Sequence, residues 1–443
     1  MGGLNGKEAV CRAIDMARVW RQALAAERAA TAAGAAADWL AVAELYRQAE
    51  AQVPGDHRLA ANRGNALWIA DQPEPALAAY RRAVLLAPQD PVVYRGLGNV
   101  HTDRQAFEAA DRAYQRSLAL EPAALTAWNH SQLLIGLERY AEGYALAEQR
   151  WAIPTAEPWR DPATAWRGEP EGWSGPLLLW SEQGLGDILQ HLRWLGPLLQ
   201  RRGPQAPPVL LEVEPCLVAL LQQGLAHLRP QPVVRAKPTQ GPEPWQGAHL
   251  SLLSLPLLLG GAPLPPGASW LQAAAWSAQK AASGRPRRVG LVWAAGRKLD
   301  QPVTAREYRR RSLDAPALGA LITGLVERGL AVELLQFGAD REQADPWMDR
   351  VAGVLPGDAD FAATAAVVAG LDLVITVDTA MAHLVGAMGR PCWVLLPFSA
   401  APRWLRQRGD TPWYPSLRLF RQPQGGNWPA VVQQVLQCLD GEC

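Results

Sequence analysis

The chain has 443 residues, enough for two to four domains at a usual size of about 100–200 residues each. Lys and Arg total 43 and Asp and Glu total 42, so the net charge of +1 gives no general attraction to nucleic acid or anionic membranes. We therefore expect no nucleic-acid partner, and any anion site must be local.

The five cysteines are scattered and lack the spacings of zinc or iron–sulfur sites. Such usage is typical of a reducing compartment, where cysteines stay unpaired. The first turns are charged, and the longest apolar run, 250–260, is interrupted by Ser254 and Pro256. We therefore expect no signal peptide, no transmembrane segment and a cytoplasmic protein.

Several residues recur with a spacing of 34 between about residues 59 and 128. The pairs are Gly64 and Gly98, Ala76 and Ala110, Tyr80 and Tyr114, Pro88 and Pro122, and Tyr94 and Trp128. Each unit places small residues in one helix and a tyrosine in a second helix that ends at proline. The pattern resembles the tetratricopeptide repeat. It predicts an α-helical solenoid over residues 1–151, with divergent helices from Lys7, a degenerate last repeat, and a concave face for another chain.

Residues 152–175 are rich in Pro, Gly and Trp and predict a linker. Beyond them, short apolar runs alternate with helical patterns. Within 176–283 we predict strands at 177–180 and 209–213 and helices at 188–200 and 216–224. This alternation is typical of a doubly wound parallel sheet, that is, a Rossmann-like lobe.

A break at Ser283-Gly284-Arg285-Pro286 separates a second α/β stretch, 284–443. Its predicted strands are 289–293, 331–336, 373–377 and 392–396, and its predicted helices are 313–328, 361–369, 380–388 and 428–439. Two α/β lobes in tandem favour an architecture with a ligand site in the cleft between them.

The strand 373–377 runs directly into a helix through Asp378 and Thr379. The first amides of that helix, at Ala380 and Met381, lack internal partners and carry partial positive charge, so a diphosphate would fit there. His383 lies one turn further on the same face. The alternative is that Asp378 only caps the helix and His383 only packs.

The segment 372–397, DLVITVDTAMAHLVGAMGRPCWVLLP, resembles the nucleotide-binding segment of heptosyltransferase-like glycosyltransferases (glycosyltransferase family 9), in the branch that carries tetratricopeptide repeats. The turn 181–187, SEQGLGD, and the segments 403–405, 410–415 and 418–422 are similar to that family too. The resemblance covers about residue 40 to the end and extends distantly to O-linked GlcNAc transferases.

This resemblance implies a GT-B fold of two Rossmann-like lobes. The lobe 176–283 would face the acceptor, and the lobe 284–443 would hold the nucleotide-sugar. It also implies that Asp378, Thr379 and His383 contact the nucleotide diphosphate or organise the loop that does.

The turn Gly184-Leu185-Gly186-Asp187 joins a strand to a helix, and its glycines let backbone approach a ligand closely. Asp187 can be a simple N-cap or the general base that deprotonates the acceptor. The resemblance implies the second role. His191, one turn further, is a second candidate base, for which packing or surface exposure is the better interpretation.

The segment from Arg297 to Arg311 is strongly basic and follows a predicted strand. We predict a basic loop in which Lys298 or Arg311, with Ser312, binds the leaving diphosphate. The alternatives are a solvated charged loop and, for Ser312, a cap of the next helix. Because no DxD pair lies in a suitable loop, we predict no metal cofactor.

Trp293 and Gln336 end predicted strands at the presumed cleft and could hold the base or ribose, although core packing is an equal alternative. The sequence thus predicts an inverting, metal-independent glycosyltransferase that uses a nucleotide-sugar and a protein or peptide acceptor docked on the repeats. The alternatives are a glycan or lipid acceptor and a non-catalytic repeat adaptor. The repeats could also form a homodimer.

Overall fold

The computed structural model describes residues 6–33, 35–261, 269–273, 276 and 287–442. The predicted break at 283–286 lies outside these residues. The described chain forms two compact units. One contains residues up to Leu134 with Arg297–Arg310, and the other contains Ile135–Gly296 and the residues from Arg311 onward. The four domain ranges drawn from sequence remain a prediction.

The elements up to the middle of the chain are, in order, α1 Gly6–Ala33, α2 Ala36–Gln52, α3 His57–Ile69, α4 Pro73–Leu86, α5 Pro91–Asp103, α6 Phe107–Leu120, α7 Ala124–Gly136, α8 Tyr140–Ala147, α9 Pro170–Ser174, β1 Leu177–Trp180, α10 Leu185–His191, α11 Leu195–Arg202, β2 Val209–Val213, α12 Pro215–Gly224, β3 Val233–Ala236, β4 Ala248–Ser251 and α13 Leu255–Leu258.

The remaining elements are β5 Arg288–Val292, α14 Pro302–Arg311, α15 Ala315–Glu327, β6 Ala331–Leu334, β7 Gly353–Val354, α16 Phe361–Ala369, β8 Leu373–Val377, α17 Ala380–Ala387, β9 Cys392–Leu396, β10 Leu417–Arg421 and α18 Trp428–Leu439. The 3₁₀ helices are Glu148–Ala152, Pro162–Thr164, Leu192–Trp194, Leu252–Ser254, Ala339–Trp347 and Pro402–Trp404.

The predicted helix pairs are confirmed, because α3 and α4 are repeated 34 residues later by α5 and α6. The recurring tyrosine explains the recurring small residues. The ring of Tyr80 lies so close to two helices that a Cβ added at Gly64 or Gly96 would lie 2.9 or 2.3 Å from ring carbons. Tyr114 packs against Gly98 in the same way. Glycine at these positions therefore allows the helices of successive repeats to close on the tyrosine.

Most of the basic segment after β5, Pro302–Arg311, forms the helix α14 and not the predicted loop, while residues 297–301 precede the helix. Arg306 is 1% exposed and donates Nη2–H to Asp71 Oδ1 at 3.0 Å and to Asp103 Oδ2 at 2.5 Å. Arg310 Nη1 donates to Asp103 Oδ1 at 3.0 Å, and Arg309 donates to the carbonyl of Ile69. Three arginines of this segment therefore bind repeat residues.

The second unit contains two all-parallel sheets, with strand orders β3-β2-β1-β4 and β10-β9-β8-β5-β6-β7. Strands β3, β4, β7 and β10 were not predicted. In both sheets the order reverses beside the first strand, between β1 and β4 and between β5 and β8. Ligands of open α/β sheets bind at the carboxyl ends of strands at such a reversal. One cluster of buried apolar side chains includes residues of both sheets, among them Leu179 and Val374.

The helix predicted over 188–200 is interrupted. The chain forms α10, a 3₁₀ turn at Leu192–Trp194, and then α11. Pro197 is the physical reason, because it has no amide proton to continue the helical hydrogen-bond ladder at that position.

Two of the five cysteines, Cys216 and Cys392, are free thiols. Cys438 is disulfide-bonded, which differs from the expectation that the cysteines stay unpaired.

Candidate functional site

The turn after β1 holds Asp187 in the first turn of α10. Gly184 is the N-cap residue, and its amide donates to Asp187 Oδ2 at 3.2 Å. The N-cap is therefore Gly184 and not Asp187, which lies at the third helical position and accepts from the N-cap amide. Its second carboxylate oxygen, Oδ1, faces the guanidinium of Arg403 at 2.6 Å.

The Asp187–Arg403 ion pair sets the charge state of the candidate base. Burial is the largest single influence and acts to raise the pKa of Asp187, but the charge and hydrogen bond of Arg403, with the neighbouring histidines, together outweigh it, so the pKa lies below its ordinary value. The carboxylate is therefore ionised at neutral pH. Both side chains keep part of their surface exposed, 20% for Asp187 and 26% for Arg403, so a ligand can reach them.

The loop after β8 starts α17 with Thr379 as the N-cap. Its Oγ1 accepts the amide proton of Met381 at 3.2 Å. The amide of Met381 is thus engaged locally, whereas the sequence analysis left it available for phosphate. Thr379 and Ala380 are partly exposed and Met381 is buried, so the accessible part of this helix start lies at Thr379 and Ala380.

Arg311, the last residue of α14, belongs to this helix start. Its Nη1 donates to the carbonyl of Asp378 at 3.2 Å and lies 3.9 Å from Asp378 Oδ2. Asp378 is 3% exposed, and its Oδ2 is a buried oxygen without a hydrogen bond among the described residues. Within the basic segment, Arg311 is the arginine that the structure places beside the Asp378–Thr379 loop.

His383 is buried and neutral. Burial, with Arg403 adding to the effect, lowers its pKa to about 3. Its Nδ1 lies 2.6 Å from Tyr414 Oη, and its Nε2 lies 3.4 Å from Arg403 Nη1. Because a guanidinium can only donate, Nε2 accepts and the ring proton belongs on Nδ1. His383 therefore helps to orient Arg403 by accepting a hydrogen bond from its Nη1.

The glycine turn and the start of α17 are in direct contact. A Cβ added at Gly186 would lie 2.8 Å from His383 Cδ2 and 3.4 Å from the Cα of Ala380. Gly186 thereby lets α10 and α17 approach, and this brings Asp187, Thr379 and Arg403 into one constellation.

Three other predicted residues have side chains committed to the protein. Gln336 Oε1 accepts the amide protons of Trp293 and Ala294, and the Trp293 indole donates to Gln343. Ser312 Oγ accepts the amide proton of Ala295 at 3.1 Å, while Asp314 is the residue that caps α15. Trp293 and Gln336 also line a cavity of about 320 Å³ at the ends of β5 and β6.

Lys298 is exposed and belongs to the compact unit that contains the repeats. Its role at phosphate stays a prediction. His191, the second candidate base, donates its Nδ1–H to the Asp187 carbonyl at 2.7 Å and stacks on Trp194. Burial lowers its pKa to about 4.

Arg403 and Tyr414 were not among the predicted site residues. The available signal was the similarity of 403–405 and 410–415 to the family's pattern, which by itself assigned neither residue a partner. No group of three or more His, Cys, Asp or Glu side chains that could hold a metal occurs in the described part of the chain. Among the same residues, no helix is both long and apolar enough to cross a bilayer.

Comparisons with known proteins give partial similarities. No family model matches. Protein FlbA of Caulobacter vibrioides is 26% identical over 392 residues, which cover 82% of this chain and 64% of that protein. The chain thus spans less than two thirds of that relative's length.

Among solved structures, the E. coli ADP-heptose lipopolysaccharide heptosyltransferase II aligns with 60% of this chain and 98% of its own, at a TM-score of 0.42 and 15% identity. A glycosyl transferase family 9 protein from Veillonella parvula covers 60% and 97%, at a TM-score of 0.41 and 12% identity. MamA aligns with 27% of this chain and 70% of its own, at a TM-score of 0.25 and 18% identity.

Proposed function

We propose that this protein is an inverting glycosyltransferase with a GT-B arrangement of its two parallel sheets. The observation that carries the proposal is the contact of the glycine turn with the start of α17, which gathers Asp187, Arg403 and Thr379. Both elements follow strands at the reversal point of their sheets, where ligands of α/β folds bind. The sequence resemblance to heptosyltransferase-like enzymes supports the same assignment.

In this mechanism the diphosphate of a nucleotide-sugar lies at the exposed start of α17, beside Thr379 and Ala380. The helix dipole and Arg311 offset its charge, and neutral His383 adds no charge of its own. Charge on the leaving diphosphate is thus stabilised by arginines and backbone amides, which makes a metal unnecessary.

Asp187 acts as the general base. An acceptor hydroxyl attacks the anomeric carbon from the face opposite the diphosphate, the bond from that carbon to the diphosphate oxygen breaks, and the hydroxyl proton passes to Asp187. In the structure Arg403 pairs with Asp187. When Arg403 turns to the diphosphate, the pKa of Asp187 rises toward its ordinary value, and the carboxylate becomes a better base.

The acceptor in this proposal is a protein or peptide docked on the repeats, which are helix pairs of the kind that bind other chains. A glycan or lipid acceptor is the alternative outcome of the same assays.

The first experiment measures thermal unfolding of the full chain with UDP, GDP and ADP, followed by donor hydrolysis with sugars of the nucleotide that binds. A ligand that binds the native state at 100 times its Kd stabilises by about 2.7 kcal/mol. Thr379→Val should reduce this stabilisation. Asp187→Asn should keep it but lower the transfer rate by about 100-fold or more.

Full transfer by both variants would exclude this mechanism. Nucleotide binding without hydrolysis or transfer in the unaltered chain would favour a repeat adaptor with an inactive nucleotide-sugar site. Absence of any nucleotide effect would contradict the proposal as a whole.

A further inference from the structure

A second cavity lies beside the first sheet, away from the residues assigned to the donor. Its volume is about 680 Å³, within the usual range for small-ligand sites. It is formed where the end of α8 and the 3₁₀ helix Glu148–Ala152 meet the segment 162–167, β4 and α13. The lining includes Glu148, Trp151, Trp166, Leu250, Ser254 and Leu257.

The polar side of this cavity is a fixed network around Arg150, which is 5% exposed. Arg150 Nη1 donates to Glu148 Oε1 at 2.7 Å, and Nη2 donates to Glu182 Oε1 at 2.6 Å. Ser254 Oγ also donates to Glu148 Oε1, at 2.8 Å. Two carboxylates thus face the Arg150 guanidinium, and Arg167 also lines the cavity, so the charges balance and the wall favours a neutral ligand over a charged one. Glu148 remains partly exposed as a hydrogen-bond acceptor.

On the apolar side of the cavity lie the indoles of Trp151 and Trp166, and contacts with other residues fix the position of each. The guanidinium of Arg150 lies 3.9 Å from the centre of the Trp151 ring. The Trp166 indole donates to the carbonyl of Glu169 at 2.9 Å and packs edge-on against Trp173. Rigid aromatic rings beside a carboxylate acceptor match a pyranose ring, which offers an apolar C–H face and hydroxyl donors.

The cavity network continues to the turn that carries Asp187. Glu182, the partner of Arg150, lies two residues before Gly184, and Ser251 at the end of β4 donates to the same carboxylate. The ends of β1 and β4 are paired at Trp180 and Ser251. The cavity therefore belongs to the sheet that the proposed function assigns to the acceptor.

We propose that this cavity binds the pyranose ring of a neutral saccharide and that the acceptor already carries such a sugar. That the cavity binds a sugar is inferred from the cavity itself. That this sugar belongs to the acceptor rests on the proposed function. The enzyme then extends a saccharide already attached to the protein or peptide that the proposed function assigns to the repeat helices.

The test is calorimetric titration of the full chain, without nucleotide, with methyl pyranosides of glucose, galactose, mannose and N-acetylglucosamine. At least one should bind with a Kd below about 10 mM. Two further titrations use the same sugar linked to a serine peptide or to a short alkyl chain. The conjugate with the lower Kd identifies the kind of molecule that carries the sugar.

The variants separate cavity binding from surface binding. Ala145→Trp fills the cavity from α8 and should abolish the heat of binding. Ala141→Trp, an exposed residue one turn earlier that does not line the cavity, is the matched control and should bind as the unaltered chain does. Glu148→Gln keeps the shape but removes the charge, and should weaken binding about tenfold or more.

Two outcomes overturn the inference: no pyranoside binds, or Ala145→Trp binds as well as its control. Either result leaves the nucleotide assays untouched. Conversely, the chain could bind a sugar, lose that binding in Ala145→Trp but not in its control, and show no binding of nucleotides. That result would refute the proposed function and support the saccharide site.

Discussion

His191 contacts the backbone of Asp187 and His383 contacts Arg403; His383 is buried and His191 is half-buried. Burial is the main cause that lowers their pKa values, to about 4 for His191 and about 3 for His383. Both rings are therefore neutral at physiological pH, and the positive charge of the site comes from Arg311 and Arg403. A neutral His383 can accept from Arg403, which a protonated ring could not do.

The histidines predict a pH dependence of stability. The unfolded pKa of His is about 6.5, so between pH 6.5 and 4 the unfolded chain binds more protons than the folded one. The unfolding free energy should fall as pH is lowered through this window, by up to about 1.4 kcal/mol per pH unit for each histidine. His191→Asn keeps a donor for the Asp187 carbonyl but does not titrate, so it should flatten the decline between pH 7 and 5. Urea unfolding midpoints measure it.

The control for this experiment is His227→Asn, which changes an exposed histidine. It should decline with pH as the unaltered chain does. If His191→Asn and the unaltered chain decline equally, the half-buried His191 does not stay neutral in the folded chain.

At the scale of elements, the contact between α10 and α17 requires a residue without a side chain, Gly186, at the point where the two helices meet. Gly186 lies where a Cβ would meet the His383 ring, whereas Gly196 in α11 has nothing within 4 Å of the corresponding position. The same substitution therefore has opposite consequences in two neighbouring helices.

Gly186→Ala should destabilise the protein by about 1–3 kcal/mol through overpacking and should slow transfer, because His383 and Arg403 must shift. Gly196→Ala should be neutral or stabilise by up to about 1 kcal/mol, because alanine restricts the unfolded chain and favours the helix. Denaturant unfolding and donor turnover report the two effects. Equal behaviour of the two variants would mean that α10 and α17 do not pack as described.

At the scale of the whole molecule, the chain leaves the α/β part after β5 and forms α14 within the repeat unit. Asp103 at the end of α5 holds this helix through Arg306 and Arg310, and it also accepts from the Trp68 indole at 2.6 Å. The two arginines hold the pKa of Asp103 below its usual range despite its burial. The pairing is therefore present at neutral pH.

Asp103→Asn should cost about 3–5 kcal/mol, because it leaves Arg306 buried without its main counter-charge. Hydrogen exchange should show faster exchange of the amides of α14, while β8 and β9 keep their protection. The control is Glu142→Gln, which breaks an exposed pair with Arg139 and should cost at most about 1 kcal/mol. Unchanged exchange in α14 would show that Asp103 does not hold it.

The sequence by itself determined the elements whose signal is local. The spacing of 34 residues predicted the helix pairs because each repeat carries its own tyrosine, small residues and proline. The buried strands β8 and β9 were predicted with their observed limits, since continuous apolar runs between polar turns leave few alternatives. Asp187 and Thr379 were identified as the residues that follow buried strands and start helices.

Only the tertiary structure decided which charged groups meet. Asp187 and Arg403, like Asp103 and Arg306, lie about 200 residues apart, and no local pattern encodes such a pairing. The helix α14 contains four arginines whose charges repel one another, and the carboxylates that offset this repulsion come largely from the repeats. The short edge strand β3, with a single buried residue, likewise depends on its neighbour β2. Local sequence sets backbone preferences, but charge pairing and edge-strand addition depend on partners that folding alone brings close.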